Sequence, residues 1–389
     1  MALFPIASPK VHSLTGRITP ALLHSAFKAV KRNRGAAGID KVSVKMFEAN
    51  LAQNLLALER DLKSGSYQPL PLRRKFLDKG GGKFRPLGIP AVRDRVAQEA
   101  ARRLLTPIFE PLFHEASFGF RPGRNCHQAL ELILKYHEAG YRVVLDADIV
   151  GFFDNLAQRL IKEAVAAQVA DGNILNLIEK FLRSGVLEQG VLKPTTVGTP
   201  QGGVISPLLA NIVLNYLDGQ LHKLGYRFVR YADDFVVLCQ SLAQAEEAKT
   251  QVTHILGQLG LQLSAEKTRL TTYGKGYTFL GFVMSSRSRR MRPKSVQKFQ
   301  DKVRQMTIRS QNLDAQLIEK LNPVLRGTAR YFGPRWSTNR WTLRRLDEWL
   351  RRRLRCMKYK RFSYHDNHRM RLKQFERLGL LSLESFCQA

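Results

Sequence analysis

Two segments of the sequence place acidic residues among apolar, β-branched ones, where a charged side chain is unexpected. Asp146 and Asp148 lie in YRVVLDADIV, and the adjacent pair Asp233 and Asp234 lies in FVRYADDFVVLC. Two like charges about 4 Å apart repel by roughly 4 kcal/mol at an effective dielectric near 20. Such carboxylates are stable together when they bind divalent cations, and hard oxygen ligands suit Mg²⁺. Two bound ions can hold the attacking and leaving oxygens of an in-line phosphoryl transfer.

The predicted elements bring these carboxylates together. The first segment is predicted to be a strand, and the apolar flanks of Asp233 and Asp234 predict a hairpin with the pair at its tip. Side chains of a strand alternate between its faces, so Asp146 and Asp148 share one face. An isolated DD pair is usually a solvated turn. A DxD strand about 85 residues earlier in the chain favours a functional cluster of Asp148 with the pair.

The rest of the middle region alternates between strands and helices, which predicts a small antiparallel sheet with helices on one face. Asp154 and Asn155 are expected to cap a helix, and Pro107 is expected to end another. Helices are also predicted at 19–34, at 91–113 as far as Pro107, and at 242–259. Two strands are predicted within 66–90 and one at 277–285. A C-terminal helix is predicted from an apolar stripe of Leu343, Leu346, Trp349 or Leu350, Leu354 and Met357.

The composition points to a polyanionic partner. The 389 residues include 63 Lys and Arg against 32 Asp and Glu, a net charge of +31, which favours nucleic acid or an anionic membrane surface. No apolar run reaches the roughly 18 residues that span a bilayer, and the N-terminus is not expected to be a signal peptide. The four cysteines are far apart and form no CxxC pair, so we expect a reduced, cytoplasmic protein.

The positive charge is concentrated near the C-terminus. Residues 286–389 hold 27 Lys and Arg against 8 Asp and Glu, a net charge of +19. This shift predicts a boundary close to residue 290. We therefore expect two domains, at 1–290, with an N-terminal extension at 1–35, and at 291–389.

Eight short blocks follow one another along the chain: NRGAAGID, RPLGIPAVRDRVAQEA, SFGFRPGRNCHQAL, DADIVGFFDN, GTPQGGVISPLLANIVLNYLD, RYADDFVVL, LSAEKT and FLGF. In this order they resemble the motifs of the group II intron-encoded reverse transcriptases, over nearly the whole chain. YADD alone is a weak signal, whereas eight ordered blocks are specific. The resemblance implies an α+β right-hand polymerase fold with fingers, a palm built on a small antiparallel sheet, and a helical thumb, also called the maturase or X domain.

The resemblance assigns a metal site to the acidic residues. Asp148 and Asp233 match the family's metal ligands, and Asp234 completes the carboxylate set as a less direct contact. The backbone carbonyl of Ile149 is implied as an additional ligand. Asp146 lies two residues before the matching position and is expected to support the site. Two Mg²⁺ ions are implied, with Mn²⁺ able to substitute.

The same resemblance assigns residues around the incoming nucleotide. Phe153 matches the steric gate, whose ring would clash with a ribose 2′-OH and so favour dNTPs, with ordinary core packing as the alternative. Gln201 matches the residue beside the incoming nucleotide. Gly202 and Gly203 are expected to let the backbone approach the base pair closely.

Cations on the triphosphate are also implied. Arg85 and either Lys79 or Lys83 match the finger-strand cations, and a planar guanidinium suits phosphate oxygens. The glycine-rich loop KGGGK leaves open which lysine makes the contact. Lys267 in AEKT is implied as a proton donor to pyrophosphate, with a solvated surface lysine as the alternative.

Template and primer contacts are expected at two places. Arg121 and Arg124 in FRPGRN are implied to hold the template backbone, with a structural salt bridge as the alternative. Arg351, Arg352 and Arg355 lie in the thumb-like region, where clustered arginines suit the phosphates of an RNA–DNA duplex or a structured RNA.

These features predict an RNA-directed DNA polymerase that extends a DNA primer on an RNA template with dNTPs, in the bacterial cytoplasm or associated with the nucleoid. A role as group II intron maturase, acting on a structured intron RNA during retrohoming, is expected. The alternatives are a reverse transcriptase that serves its host in CRISPR spacer acquisition, phage defence or repair, and an RNA-binding maturase without catalysis. The intact acidic set with Phe153 and Gln201 favours catalysis. A membrane-surface protein is disfavoured because the charge accompanies an ordered polymerase pattern.

Overall fold

The computed structural model describes residues 3–6, 8–78, 82, 84–188, 191–193, 198 and 202–387. Helices predominate among the elements of these residues. They are α1 (Pro20–Arg32), α2 (Val44–Ala49), α3 (Leu51–Ser64), α4 (Val92–Phe109), α5 (Cys126–Glu138), α6 (Phe152–Asn155), α7 (Gln158–Ala166), α8 (Gly172–Arg183), α9 (Ser206–Lys223), α10 (Leu242–Gln258), α11 (Pro293–Met306), α12 (Ala315–Phe332), α13 (Arg340–Tyr359), α14 (Asp366–Arg369) and α15 (Leu372–Arg377), with short 3₁₀ turns at Thr15–Arg17, Glu110–Leu112 and Glu384–Phe386.

The strands form three sheets. They are β1 (Leu72–Asp78), β2 (Phe84–Ile89), β3 (Val143–Ala147), β4 (Val186–Glu188), β5 (Val191–Lys193), β6 (Arg227–Tyr231), β7 (Asp234–Cys239), β8 (Arg269–Thr272), β9 (Tyr277–Phe279), β10 (Phe282–Met284) and β11 (Arg289–Met291). The strand orders are β2-β1-β4-β5, β6-β7-β3-β8 and β11-β10-β9. The fold is thus a mixed helix and strand fold, in line with the predicted class.

The sheet β6-β7-β3-β8 places the acidic segments on neighbouring strands. β6 and β7 pair antiparallel, and β7 lies next to β3. Every residue of β7 after Asp234 is buried. Because successive side chains of a strand point to opposite faces, β7 is covered on both sides. Helices α5, α9 and α10 pack against this hairpin, which explains how an apolar hairpin can carry charged residues at its tip.

A second hairpin precedes α4. β1 and β2 pair antiparallel over six residue pairs, from Arg73 with Ile89 to Asp78 with Phe84. β1 also pairs in parallel with β4. The prediction of two strands within residues 66–90 is confirmed.

The chain divides into two compact units. One comprises Met1–Glu138 and Leu145–Leu270, and the other comprises Ala139–Val144 and Thr271–Ala389. The predicted boundary at residue 290 rests on charge alone and stays a prediction. No helix of the described residues is long and apolar enough to span a bilayer.

Periodicity predicted the helices well where an apolar stripe is present. α1 begins after Thr19, whose hydroxyl accepts a hydrogen bond from the Leu22 N–H, and α10 matches the helix predicted at 242–259. The predicted stripe of α13 is buried, with Leu350 rather than Trp349 as its central member. These helices are held by one buried face, which the 3.6-residue period reveals.

The helix predicted to end at Pro107 continues to Phe109. Proline removes one N–H donor and crowds the preceding turn. Here the helix changes to a 3₁₀ turn three residues after the proline, at Glu110. The disruption therefore falls in the last turn, where it costs little.

Two local predictions were wrong. Asp154 and Asn155 lie inside α6 and do not cap α7, which begins after Ala157 without a side-chain cap. Gly151, with a φ of +49°, starts α6 early. The strand predicted at 277–285 is the hairpin of β9 and β10. It turns at Leu280 and Gly281, whose φ angles of +46° and +84° suit a tight two-residue turn.

Candidate active site

Asp148 immediately follows β3, and its backbone is held on one side. The Ser264 N–H donates to the Asp148 carbonyl at 2.7 Å, beside an antiparallel bridge between Ile149 and Leu263. The hydrogen bonds of this bridge come from the residues on either side, so Ile149 and Leu263 form a non-hydrogen-bonded pair. The bridge therefore does not engage the Ile149 carbonyl in a hydrogen bond. The predicted role of this carbonyl as a metal ligand requires that.

Asp233 and Asp234 lie at the tip of the β6–β7 hairpin. Tyr231 pairs with Asp234, which leaves Ala232 and Asp233 as the two residues of the turn. Ala232 has a φ of +59°, and a positive φ at the first of two central residues occurs in hairpin turns that usually place glycine there. The turn is thus tight and strained at Ala232, immediately before the first aspartate.

The structure brings the acidic segments within electrostatic reach of one another. The pKa of Asp146 is raised to about 6, first by burial and then by the negative charge of Asp234 and of Asp148, with Arg269 opposing them. The raised pKa of Asp146 therefore indicates that negative charge is concentrated between β3 and the hairpin. Its predicted supporting role at the site stays a prediction.

Lys267 contacts the acidic cluster directly. Its Nζ lies 2.9 Å from Oδ2 of Asp148, although two thirds of the lysine side chain is exposed. The pKa of Lys267 is raised mainly by this hydrogen bond and further by the charges of Asp148, Asp234 and Glu266, against a lowering by desolvation. The lysine is thus paired with Asp148, and its role at the site stays a prediction. An exposed ion pair of this kind contributes about 0–1 kcal/mol, so other cations can replace it.

The acidic cluster offers oxygen donors of the kind that bind divalent cations. Among the described residues, no three His, Cys, Asp or Glu side chains are arranged to hold a metal ion. The donor chemistry nevertheless fits, because the Asp148 carboxylate already bears a cationic group, the Lys267 ammonium. Carboxylate oxygens are the ligands that Mg²⁺ prefers.

Phe153 and Phe152 differ in burial, which bears on the predicted gate. Phe152 is buried, with 2% of its surface exposed, whereas Phe153 is half-buried. Their rings meet edge to face at 5.1 Å. Phe152 belongs to the core, and Phe153 is the ring that can meet a substrate.

Gly198, the first residue of GTPQGG, approaches Phe153 closely. Gly198 has a φ of +84°, and a Cβ there would lie 2.6 Å from the Phe153 carbonyl oxygen. Gly202 has a φ of +112°, and its Cβ would lie 2.3 Å from the carbonyl oxygen of Gly88 in β2. Both positions exclude side chains. Gly203 is half-buried, and Gln201 lies outside the described residues.

A further contact to this segment was missed by sequence reasoning. The Val204 N–H donates to Oε1 of Gln98 at 2.7 Å. Gln98 is buried in α4, inside the RDRVAQEA block, and no periodicity distinguishes such a glutamine from a core residue. It ties the backbone after Gly203 to α4.

The finger-strand cations are only partly covered by the structure. Arg85 lies in β2 opposite Leu77 and is exposed. Lys79 and Lys83 lie outside the described residues. Their assignment to the triphosphate stays a prediction.

Arg121 and Arg124 take different positions. The Arg121 side chain is 4% exposed and pairs with Glu110 at 2.9 Å, and it donates to the backbone carbonyls of His114 and Ser117 at 2.7 Å each. This is the structural salt bridge that the sequence left open. Arg124 is half-buried and donates to the Glu115 carbonyl, so it is the more accessible of the two.

The three arginines of α13 that were predicted to contact nucleic acid also differ. Arg355 donates to the Met370 carbonyl at 2.9 Å, so its guanidinium is partly engaged in packing. Arg352 is exposed, and its guanidinium carbon lies 5.9 Å from the centre of the Tyr364 ring. Arg351 is half-buried. Arg351 and Arg352 are therefore the better placed to meet a phosphate backbone.

Comparisons with known proteins match both parts of the chain. The family described as "Reverse transcriptase (RNA-dependent DNA polymerase)" matches residues 77–284, and the "Group II intron, maturase-specific domain" matches residues 296–375. A chain of the "Partial Cas6-RT-Cas1--Cas2 complex" is 28% identical, with a TM-score of 0.39, and the match covers 62% of this chain and 40% of that one.

Two curated relatives are similar in sequence. Protein YkfC of Escherichia coli K12 is 35% identical over 316 residues, which cover 70% of this chain and 83% of that protein. Group II intron-encoded protein LtrA of Lactococcus lactis is 38% identical over 216 residues, 55% of this chain and 35% of LtrA. With an ordered set of polymerase motifs and acidic segments on adjacent strands, the chain belongs to the group II intron-type reverse transcriptases, which are RNA-directed DNA polymerases.

Proposed function

We propose that this chain copies RNA into DNA at a site formed by Asp148, Asp233 and Asp234. The observation that carries the proposal is the convergence of β3 and the β6–β7 hairpin. It brings Asp146, Asp148 and Asp234 within electrostatic reach of one another, and Lys267 from the segment paired with Ile149 adds a cationic group on Asp148. A cluster of carboxylates that can hold divalent cations suits the transfer of phosphoryl groups.

Two Mg²⁺ ions would be held by Asp148, Asp233 and Asp234, with the Ile149 carbonyl as an additional ligand. When bound, such ions polarise phosphoryl oxygens and stabilise the charge of the attacking and leaving groups. The Lys267 ammonium would then leave Asp148. Its place beside the cluster supports the predicted role of delivering a proton to pyrophosphate.

The remaining residues would orient the nucleotide and exclude the wrong sugar. The β1–β2 hairpin with Arg85 serves as fingers over the triphosphate, and the β6-β7-β3-β8 sheet serves as the palm. Phe153 lies on α6, directly after the strand and loop that carry Asp148, so its ring can contact the sugar of a nucleotide bound there. Gly202 supports a close approach of the backbone to β2.

The basic C-terminal region would bind the RNA–DNA duplex and a structured intron RNA. Residues 286–389 carry a net charge of +19, and helices of this region expose arginines such as Arg344 and Arg352. Phosphate contacts of this kind release counterions and supply affinity without sequence preference. We propose a thumb and maturase role for residues 291–389, in a chain that acts in intron splicing and retrohoming.

Primer extension tests the proposed function. The purified chain is expected to extend a DNA primer on an RNA template with dNTPs and Mg²⁺, and to stop when the metal is removed with a chelator. Synthesis that returns when Mg²⁺ or Mn²⁺ is added shows that the chelator removed the metal and did not damage the protein. RNA binding without any extension would leave a non-catalytic maturase as the function and reject the polymerase.

Removal of Arg351 and Arg352 of α13 should weaken nucleic-acid binding. For Arg351→Ala with Arg352→Ala, we expect RNA–DNA duplex affinity to fall about tenfold near physiological salt. The slope of log affinity against log salt should fall by about one for each phosphate that the variant no longer binds. The measurement is a binding titration at several salt concentrations.

A matched control is Arg159→Ala on α7. Its side chain is 77% exposed and pairs with Glu163, and it lies outside the basic C-terminal region. We expect the RNA–DNA duplex affinity and the salt slope of the Arg159→Ala variant to equal those of the wild type. An unchanged slope in the double variant would place the duplex elsewhere.

A further inference from the structure

Arg230 is an unusual residue at the centre of the hairpin. It lies in β6, just before the YADD turn, and 0% of its surface is exposed. Its guanidinium pairs with Asp218 of α9, which is equally buried, through Nε to Oδ1 at 2.7 Å and Nη2 to Oδ2 at 2.5 Å. A buried ion pair rarely stabilises a fold more than apolar residues of similar size would. The presence of this pair therefore calls for another role.

The third nitrogen of the guanidinium reaches the turn. Nη1 donates to the Asn211 side-chain oxygen at 2.8 Å and to the Ala232 carbonyl at 3.0 Å. The Asn211 amide in turn donates to the Gly119 carbonyl at 2.8 Å. One rigid, planar group thus connects α9 to the peptide that precedes Asp233.

That peptide determines the direction of Asp233. The Ala232 carbonyl and the Asp233 N–H share one planar peptide unit. A hydrogen bond that orients the carbonyl therefore orients the bond leading to the Asp233 α-carbon. Arg230 acts on the atom group closest to the catalytic aspartates without contacting their carboxylates.

The turn needs such a restraint because its backbone is strained. Ala232 has a φ of +59°, and a non-glycine residue at positive φ costs of order 1–3 kcal/mol unless its surroundings determine it. On another side the turn meets Gly119, where a Cβ would lie 2.3 Å from the Ala232 nitrogen. Arg230 and Gly119 hold the backbone of the turn between them.

The backbone of Arg230 adds a third restraint. Its N–H donates to the Ala116 carbonyl at 2.9 Å, and its carbonyl accepts from the Phe118 N–H at 2.9 Å. The SFGF segment therefore pairs with β6. This pairing gives the segment a physical role in supporting the turn.

We propose that Arg230 is a positioning residue for polymerisation, which fixes the Ala232–Asp233 peptide so that the two aspartates face Asp148. The proposal rests on the proposed function of the acidic cluster and assigns part of its geometry to the network of Arg230, Asp218 and Asn211. A purely structural alternative holds that the network only attaches β6 to α9.

Two variants separate these roles. Arg230→Lys keeps a charge beside Asp218, but an ammonium lacks the planar fork that reaches all three acceptors. Arg230→Met with Asp218→Leu replaces the ion pair by apolar side chains, a change that is often neutral or stabilising for folding. The double variant leaves no donor to the Ala232 carbonyl, and the lysine variant removes the guanidinium Nη1 that donates to it. Arg102→Lys is the matched control, because Arg102 makes a bidentate pair with the nearly buried Glu99 away from the turn.

Steady-state primer extension measures kcat and KM for each variant, with melting temperature as a check of folding. We expect kcat to fall about 10- to 100-fold in both Arg230 variants, as for a misplacement approaching 1 Å. The KM for primer–template should stay unchanged, because both variants leave the proposed duplex-binding arginines unaltered. Mn²⁺ titration of the nucleotide-free protein, followed by electron paramagnetic resonance, should show weaker binding in both variants. Arg102→Lys should match the wild type in kcat and Mn²⁺ binding.

The outcomes are distinct. If the Arg230→Met, Asp218→Leu variant folds and keeps the wild-type kcat and Mn²⁺ affinity, the positioning role is rejected and the network is structural. The positioning role is also rejected if kcat falls only in proportion to the loss of folded protein. If the wild-type chain does not polymerise, the proposed function fails, and the Mn²⁺ measurement still decides whether Arg230 positions the aspartates.

Discussion

Replacing both hairpin aspartates, Asp233→Ala with Asp234→Ala, is expected to abolish cDNA synthesis. Both carboxylates lie at the tip of the β6–β7 hairpin, and the charge of Asp234 is felt by Asp146 and Lys267. Their removal leaves Asp148 as the one carboxylate of the proposed ligand set. Metal ions supply several kcal/mol of transition-state stabilisation, so we expect a loss of at least about 10³-fold in primer extension.

RNA binding should survive in the same variant. The basic C-terminal region, which we propose as the main RNA contact, is not altered by the change. A gel-shift titration with the RNA template measures this directly. Retained binding with lost synthesis separates the catalytic site from the nucleic-acid surface.

The matched control is Glu246→Ala with Glu247→Ala. These residues form another adjacent acidic pair in the same unit, exposed on α10. The variant removes the same formal charge, so a general effect of net charge on nucleic-acid affinity appears in both variants. Extension of a primer on RNA by the Asp233, Asp234 variant, at a rate near that of this control, would show that the site assignment is wrong.

Local periodicity in the sequence was sufficient to find the elements that carry the site. The β-branched run before Asp148 and the apolar flanks of YADD each form a strand, because alternating or continuous burial leaves a direct pattern in the chain. Elements whose ends depend on a single residue were less predictable. Gly151 starts a short helix early, and a proline in a last turn did not stop α4.

The contacts between distant segments could not be predicted in this way. Arg230 in RYADD could equally be a surface arginine, since its partner Asp218 lies twelve residues earlier in another element. Gln98 reaches Val204 across 106 residues. Such pairs depend on how helices pack on the sheet, and no local repeat encodes that packing. The resemblance to a family located the aspartates but assigned no role to the residues that hold them.

Lys267 illustrates the same limit. The sequence left a proton donor and a solvated lysine as alternatives, and the structure places its ammonium 2.9 Å from Asp148. The contact arises because segment 262–264 pairs with the backbone around Asp148. The contact with a proposed metal ligand is compatible with the first alternative, and the transfer of a proton stays a prediction.

Phe153→Ala is expected to relax the rejection of ribonucleotides. The ring is half-buried, is held edge to face against Phe152, and follows Asp148 by one short loop. The backbone carbonyl of Phe153 lies against Gly198, where no side chain fits. A ring fixed in this way cannot move aside for a 2′-OH, whereas alanine leaves room for it. Pockets that discriminate by one small group typically do so by about 10- to 200-fold, so we expect the preference for dNTPs to fall by roughly that amount.

The ratio of kcat/KM for a dNTP and the matching rNTP measures the effect in single-nucleotide extension. Phe153→Tyr is the matched control, because it keeps the ring and should keep the preference. The kcat for dNTPs should change little in the alanine variant, since the acidic cluster is untouched. An unchanged preference in Phe153→Ala, with normal dNTP incorporation, would mean that another side chain rejects the 2′-OH. Phe152 would be the next candidate only if substrate binding opened the core around it, since it is 2% exposed here.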